Sequence, residues 1–316
     1  MRNYIIRRLL IMIPILFGIT LVNFFLINLA PGNHLDFMIS PTMTPEVREI
    51  LERNLGFDAP IHRRYITWLG NLLQGNVGYS YNSYRPVADI ITERIPATLL
   101  LMCSALLAGL AIAIPLGAVS AIKQHSFLDY FITLIAFFGV SAPNFFLGLG
   151  MIYVFSIQLK LFPSSGMYTV GMEGDILDIL RHLILPCAVL SINICGRFMR
   201  YVRSSMLEVL QQDYMRTAKA KGVPFFSRLS VHAFRNALLP LITLVGLEIP
   251  NLLGGAVITE QIFSWPGIGR LTIDSIMTRD YPVLMGLNLM AAVLVLSASL
   301  IADCVYALAD PRIKYS

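Results

Sequence analysis

Six long apolar blocks leave this chain few ways to fold. They run at about Leu9–Ala30, Ala97–Ile122, Tyr130–Leu159, Leu183–Tyr201, Leu238–Ile262 and Val283–Leu308. A helix needs about 20 apolar residues to cross the hydrocarbon of a bilayer, and these blocks have that length. In hydrocarbon a segment must satisfy its own backbone N–H and C=O groups, which a helix does. Only 14% of the residues are charged, against 56% hydrophobic. That is too little charge to clothe a soluble domain of this size. The expectation is an all-α polytopic membrane protein with six transmembrane helices.

The charges set the sides. Arg2, Arg7 and Arg8 precede the first block. A secretory signal has the same polarity, but its apolar core is only roughly 7–15 residues and ends in a small-residue cleavage site. Here the run ends at Pro31-Gly32 without an Ala-x-Ala site, so an uncleaved helix with its N-terminus inside is expected. The segment from Arg197 to Arg235 holds eight basic residues opposed only by Glu208 and Asp213, and the short loop at Lys123 is also basic. Loops 160–182 and 261–282 are neutral or acidic. Cytoplasmic loops carry the Lys/Arg excess. Both termini, Lys123 and the 197–235 segment therefore fall in the cytoplasm, in alternation with six crossings. The formal charge of +5 reflects these clusters at block ends rather than a nucleic-acid surface.

Three regions are expected: 1–31, the N-terminal tail and first span; 32–96, an extracytoplasmic helical insertion; and 97–316, the transmembrane core, with an exposed loop at 203–237. In the insertion six basic and seven acidic residues balance. Thr44-Pro45-Glu46 has the pattern of a helix start. Ile61, Tyr65, Trp68, Leu69 and Leu72 form one helical stripe ended by Gly75. Pro143-Asn144 inside the third block predicts a kink or break.

Catalytic signatures are scarce. No Gly-Lys dipeptide exists, which excludes a phosphate-binding P-loop, and HExxH and GxSxG are absent. The four cysteines form no CxxC pair and read as apolar fillers. Ser120-Ala-Ile-Lys123 fits the SxxK pattern of serine acyl-enzymes, but its companion motifs are missing. Lys123 reads as an anchor at a cytoplasmic helix end. No bound cofactor or metal is expected.

Polar groups inside the blocks carry more information, because such residues face a cavity or a partner. Glu248 lies in the fifth block, with Asn251 almost one turn on and Pro250, Gly254 and Gly255 beside it. Two readings stay open: a polar lining for a translocation path, or a carboxyl paired with a neighbouring helix. Asn144 and Asn193 are weaker candidates, such residues being more often interhelical hydrogen bonds than ligand contacts, and Asp303 reads as structural.

The 204–221 stretch reads as one amphipathic helix, stopped at Gly222-Val223-Pro224. Asp213 precedes Lys219 and Lys221, which suits the helix dipole. A short polar helix pinned between two spans is a docking element, or alternatively a helix lying on anionic lipid.

The run Asp213-Tyr-Met-Arg-Thr-Ala-Lys-Ala-Lys-Gly222, followed by His232-Ala-Phe-Arg-Asn-Ala-Leu-Leu-Pro240, resembles the cytoplasmic loop of bacterial ATP-binding-cassette importer permeases. The likeness is to the dipeptide/oligopeptide/nickel group. That group's version of the general Glu-Ala-Ala…Gly loop falls on Arg216-Thr217-Ala218 and Gly222, with Arg216 in place of the Glu. Tyr4–Arg8, Ala30-Pro-Gly32, Leu55–Asp58, Arg203–Met206, Glu260–Arg270, Arg279–Pro282 and Asp310-Pro-Arg312 extend the resemblance along the chain.

The resemblance implies a type I importer-like permease fold and no enzymatic activity in this chain. It implies a second, similar permease, two cytoplasmic ATP-binding subunits that use ATP and magnesium, and an extracytoplasmic solute-binding protein. It makes Asp213, Tyr214, Arg216, Thr217, Ala218, Lys219 and Gly222 the surface of a coupling helix seated on an ATPase. The implied cargo is a di- or oligopeptide, with nickel or a metal chelate as the alternative. A stand-alone secondary transporter or channel is the reading from another class.

Overall fold

The computed structural model describes residues 2–29, 59–238, 240–241, 244–246, 248 and 256–309. The helix expected to start at Thr44-Pro45-Glu46 lies outside them, as does Asn251. Among the described residues the architecture is helical, with one isolated antiparallel bridge, Tyr79 to Pro86. The helices are α1 (Arg2–Leu29), α2 (Ile61–Leu73), α3 (Val87–Ile122), α4 (Phe127–Ser141), α5 (Asn144–Met151), α6 (Ile176–Leu210), α7 (Asp213–Ala220), α8 (Val257–Ile262), α9 (Ile268–Met277) and α10 (Tyr281–Ala309). Within them, Ile6–Leu29, α3, α6 and Tyr281–Leu300 are long and apolar enough to cross a bilayer. A fifth crossing is added if the bent pair Phe127–Ser141 and Asn144–Gln158 is one span. The six-span expectation also needs the fifth block, of which only parts are described.

Two elements differ from their apolar blocks. Helix α3 starts at Val87, well ahead of Ala97. The first turns carry Asp89, Thr92 and Glu93, so composition conceals a helix that hydrogen bonding continues without a break. Likewise α6 begins at Ile176, where the Asp175 carboxylate accepts the Leu177 N–H at 2.9 Å as an N-cap.

The expected break at Pro143 is present and large. Ala142 takes φ −71°, ψ 125°, the extended geometry favoured before a proline, and the two flanking helices meet at 100°. Beyond α5 the chain continues as a π-helical stretch, Ile152–Gln158.

The chain divides into two compact units, Met1–Pro96 with Gly267–Ser316, and Ala97–Pro266. In the first, α1 packs on α10 and on α2. Tyr65 of α2 is buried among Phe24, Trp68 and Met285, and its hydroxyl meets Thr20 Oγ1 at 3.1 Å. This is the stripe expected from the sequence, turned onto α1. A second cluster joins Val87, Ile268, Val283 and Leu287. At the start of α10 the buried Asp280 carboxylate accepts the Ser80 hydroxyl at 2.5 Å and the Tyr81 N–H at 3.1 Å. Burial pushes the Tyr81 phenol above its ordinary value, with Arg64 acting the other way.

In the second unit, α3, α4 and α6 enclose a core that includes Leu101, Phe198, Met199, Val202 and Met206. Helices in lipid gain little from the hydrophobic effect when they associate; close backbone approach decides. Glycines supply it. A Cβ on Gly196 would sit 2.5 Å from the Ala136 carbonyl oxygen, and one on Gly117 2.7 Å from that of Met199. These contacts are with backbone, which cannot swing aside. Gly196→Ala should therefore force α4 and α6 apart and cost about 1–3 kcal/mol, the usual range for overpacking. A thermal melt of the purified assembly measures this, and an unchanged melting temperature would refute the close contact.

Candidate coupling surface and membrane-embedded charges

The predicted single helix over 204–221 is two helices. Helix α6 ends at Leu210, and α7 starts at Asp213 after Gln212 takes φ −66°, ψ 149°. That extended residue redirects the chain, which the continuous helical pattern could not reveal. Helix α7 ends in a Schellman arrangement: the Gly222 N–H donates to the Lys219 carbonyl at 3.1 Å and the Val223 N–H to that of Ala218 at 3.2 Å. Gly222 sits at φ +75°, the left-handed region that glycine enters at least cost.

Helix α7 is displayed rather than packed. Met215 is its buried residue and belongs to the core of the second unit. Asp213, Tyr214, Arg216, Thr217, Lys219 and Gly222 are exposed and Ala218 is half-buried. Arg216 lies 3.7 Å from Asp213, a solvent-screened pair. Tyr214 accepts a hydrogen bond from Asn236 at 3.3 Å. Beyond Gly222, Phe225 and Phe226 are exposed and packed edge to face on each other. A π-helical stretch, Arg228–Phe234, returns the chain towards α6, where the Ser205 hydroxyl donates to the Ala237 carbonyl at 2.8 Å.

Above this surface lies a charge cluster that sequence reasoning missed. Arg203 of α6 donates to both oxygens of the buried Asp129 carboxylate, Nε at 2.8 Å and Nη2 at 2.9 Å. The Ser120 hydroxyl donates to Asp129 Oδ1, and the His125 N–H to Oδ2 at 3.0 Å. The fork geometry of guanidinium and carboxylate makes this the strong form of an ion pair. It ties together the ends of α3, α4 and α6. Ser120 of the SxxK match is thereby a structural donor. The available signal was an acid in the first turn of an apolar block, behind the Ser126 cap that accepts its N–H at 3.2 Å.

Glu248 is also paired. Arg197 Nη1 donates to its Oε1 at 2.6 Å, joining α6 to the fifth block. The Arg197 side chain stays 38% exposed and that of Glu248 17%, so the pair sits at a boundary rather than in the core. Asn144 opens α5 at the bend, with its buried Oδ1 lacking a hydrogen-bond partner among the described residues. A second buried acid, Glu260, accepts the Thr98 hydroxyl at 3.0 Å and is fully enclosed. Close by, the buried Trp265 indole N–H donates to the Ala97 carbonyl at 2.8 Å. The Glu260–Trp265 run thus folds back as a structural corner. Among the described residues no cluster of His, Cys, Asp and Glu could hold a metal ion.

These features, several apolar spans and a short helix displayed between two of them, are those of a membrane transport subunit. Residues 113–315 match the profile of the binding-protein-dependent transport system inner membrane component, and residues 1–102 that of the N-terminal part of such components. The chain belongs to this family of importer permease subunits and is a multi-pass protein of the cytoplasmic membrane. It is 46% identical to the oligopeptide transport system permease protein AppB of Bacillus subtilis, over 100% of both chains. It is 36% identical to the dipeptide transport system permease protein DppB of Escherichia coli K12, over 100% of this chain and 99% of that one. Among solved structures, an inward-facing MetNI methionine ABC transporter chain shares the fold at a TM-score of 0.57 and 14% identity, over 70% of this chain and 96% of that one.

The Asp129–Arg203 pair carries a stability prediction. Removing one partner of a buried pair strands the other charge and costs about 3–5 kcal/mol; partial exposure of Arg203 places Asp129→Asn near the lower end, about 3 kcal/mol. Adding Arg203→Gln should recover part of that loss. Denaturant melts of the assembled complex test both, and purely additive losses would contradict direct pairing.

Proposed function

We propose that this chain is one permease half of an ATP-driven importer of di- or oligopeptides. The supporting observation is α7: a short helix held by one buried side chain, with its polar residues presented outwards, in a chain of this family. In this reading Asp213, Tyr214, Arg216, Thr217, Ala218, Lys219 and Gly222 contact a cytoplasmic ATPase, and Phe225 and Phe226 supply apolar contact beside them. The sequence has no nucleotide-binding motif, so the energy comes from partner subunits that hydrolyse ATP with magnesium. The full assembly comprises this chain, a second homologous permease, two ATP-binding subunits and an extracytoplasmic solute-binding protein. Six crossings place both termini in the cytoplasm, and the 32–96 region lies on the outer side.

Peptide is preferred over nickel because the relatives cited are named for oligopeptides and dipeptides. Glu248, Asn251 and Asn144 are proposed to line the path. A charge pair that remains partly exposed at membrane depth is more stable facing an aqueous cavity than facing lipid. Arg197 and Glu248 satisfy each other when the path is empty. A peptide brings both an ammonium and a carboxylate, and either can exchange into the pair.

Two measurements test this reading. Gly222→Val forces a β-branched residue into the left-handed region, at a cost of roughly 1–2 kcal/mol at the end of α7. Together with Ala218→Trp on the contact face, it should abolish substrate-stimulated ATPase and uptake while the complex still assembles. Unchanged coupling would remove α7 from the ATPase contact. For the path, Glu248→Gln should change peptide uptake per complex by about tenfold, equivalent to about 1.4 kcal/mol in the transport barrier. Normal uptake would confine Glu248 to a structural role. Uptake by this chain reconstituted alone would favour the secondary-transporter reading.

A further inference from the structure

Within the second unit, α3, α4 and α6 leave an apolar cleft of about 430 Å³. This is within the range of about 300–1,000 Å³ that ligand sites occupy. Its floor includes Ala188, Cys195 and Met199. Its rims, Ile112, Ile135 and Ile184, are 48%, 47% and 43% exposed. It offers almost no hydrogen bonding. The Ser191 hydroxyl on its wall already donates to the Cys187 carbonyl at 2.6 Å.

At one end the cleft changes character. Ala136 and Met199 are shared with a smaller recess whose lining adds Thr133, Phe137, Arg200 and Arg203. On α3, Ala108, Ile112, Leu116 and Ser120 recur every fourth residue, one face that leads from the cleft into the recess. The recess is net cationic. The Asp129 carboxylate beside it is committed to Arg203, Ser120 and the His125 N–H. Arg200 is exposed, lies over the Phe137 ring at 5.3 Å from its centroid, and has no carboxylate at ion-pair distance among the described residues. A cation at the end of an apolar cleft in a membrane calls for an anion that carries its own hydrocarbon.

We infer that the cleft and recess form a binding site for an anionic glycerophospholipid, with an acyl chain along Ala188–Met199 and the phosphate on Arg200. The inference is independent of the cargo and of the α7 contact. A lipid is favoured over a helix of the companion permease because the cleft is nearly devoid of polar partners and ends at Arg200, which has no carboxylate at ion-pair distance among the described residues. An occupant here bridges α4 and α6 a few turns before α7, so the lipid content of the membrane would bear on the ATPase cycle.

The test uses the assembled complex in phosphatidylcholine nanodiscs doped with phosphatidylglycerol that carries a photoreactive acyl chain. Labelling should map to α3 and α6 near Ile112 and Ile184. Arg200→Gln should lower the yield about fivefold, the expected loss of one arginine–anionic lipid interaction. Arg200→Lys should keep most of the yield, and Ala188→Trp should remove it in complexes that still assemble. Inorganic phosphate should not compete; if it does, the recess is a site for free anions and the lipid assignment fails. It fails equally if neither Arg200→Gln nor Ala188→Trp alters labelling, or if a photoreactive residue at Ile112 captures the companion permease instead.

Discussion

A polar group that enters the hydrocarbon is costly unless it brings or finds a partner, and most of the structure follows from this. Unsatisfied backbone groups there cost several kcal/mol each, so the spans are helical. At the 100° bend the chain leaves the helix for only two residues, Ala142 and Pro143, and proline has no N–H to satisfy. Charges buried among the helices are matched as well. Arg203 is matched to Asp129 by both arms of its guanidinium, Arg197 to Glu248, and Glu260 to Thr98. Such pairs contribute modestly to net stability, because desolvation offsets much of the attraction. Their value is positional: Asp129 is satisfied where α3, α4 and α6 meet.

That positioning links the membrane part to the displayed surface. Helix α6 is continuous from Ile176 to Leu210, so the residues that pack in the core and Arg203, which pins Asp129, lie on one helix. Immediately after it, the extended Gln212 and the left-handed Gly222 bracket α7. A helix of this length is marginal alone in water. Met215 in the core, the hydrogen bonds that the Gly222 and Val223 N–H groups donate to α7 carbonyls, and the Tyr214–Asn236 contact hold it in place. The outcome is a small, defined surface just beyond the end of a long helix.

Much of this was legible in the chain. The apolar blocks announced the helices, Pro143 announced the bend, and the stripe from Ile61 to Leu72 announced α2. Family membership was legible because the 213–240 run and the 260–270 run have composition that helix propensity alone does not require. Other features were hidden for physical reasons. The polar first turns of α3 look like loop in a hydropathy reading, although hydrogen bonding carries the helix through them. The break at Gln211-Gln212 was invisible because glutamine is a good helix former and nothing in its composition signals a turn.

By itself the sequence determined where the long apolar helices of the described residues lie, which loops carry positive charge and which family the chain belongs to, because hydropathy and charge act locally along the chain. Only the tertiary structure decided which charges meet. Asp129 and Arg203 are 74 residues apart, and Arg197 and Glu248 51 apart. Pairing at such separation depends on how helices cross, and helices cross where a missing Cβ, as at Gly196, lets two backbones touch. For the same reason the sequence could name Glu248 as a polar residue at membrane depth, but it could not say that its partner is Arg197.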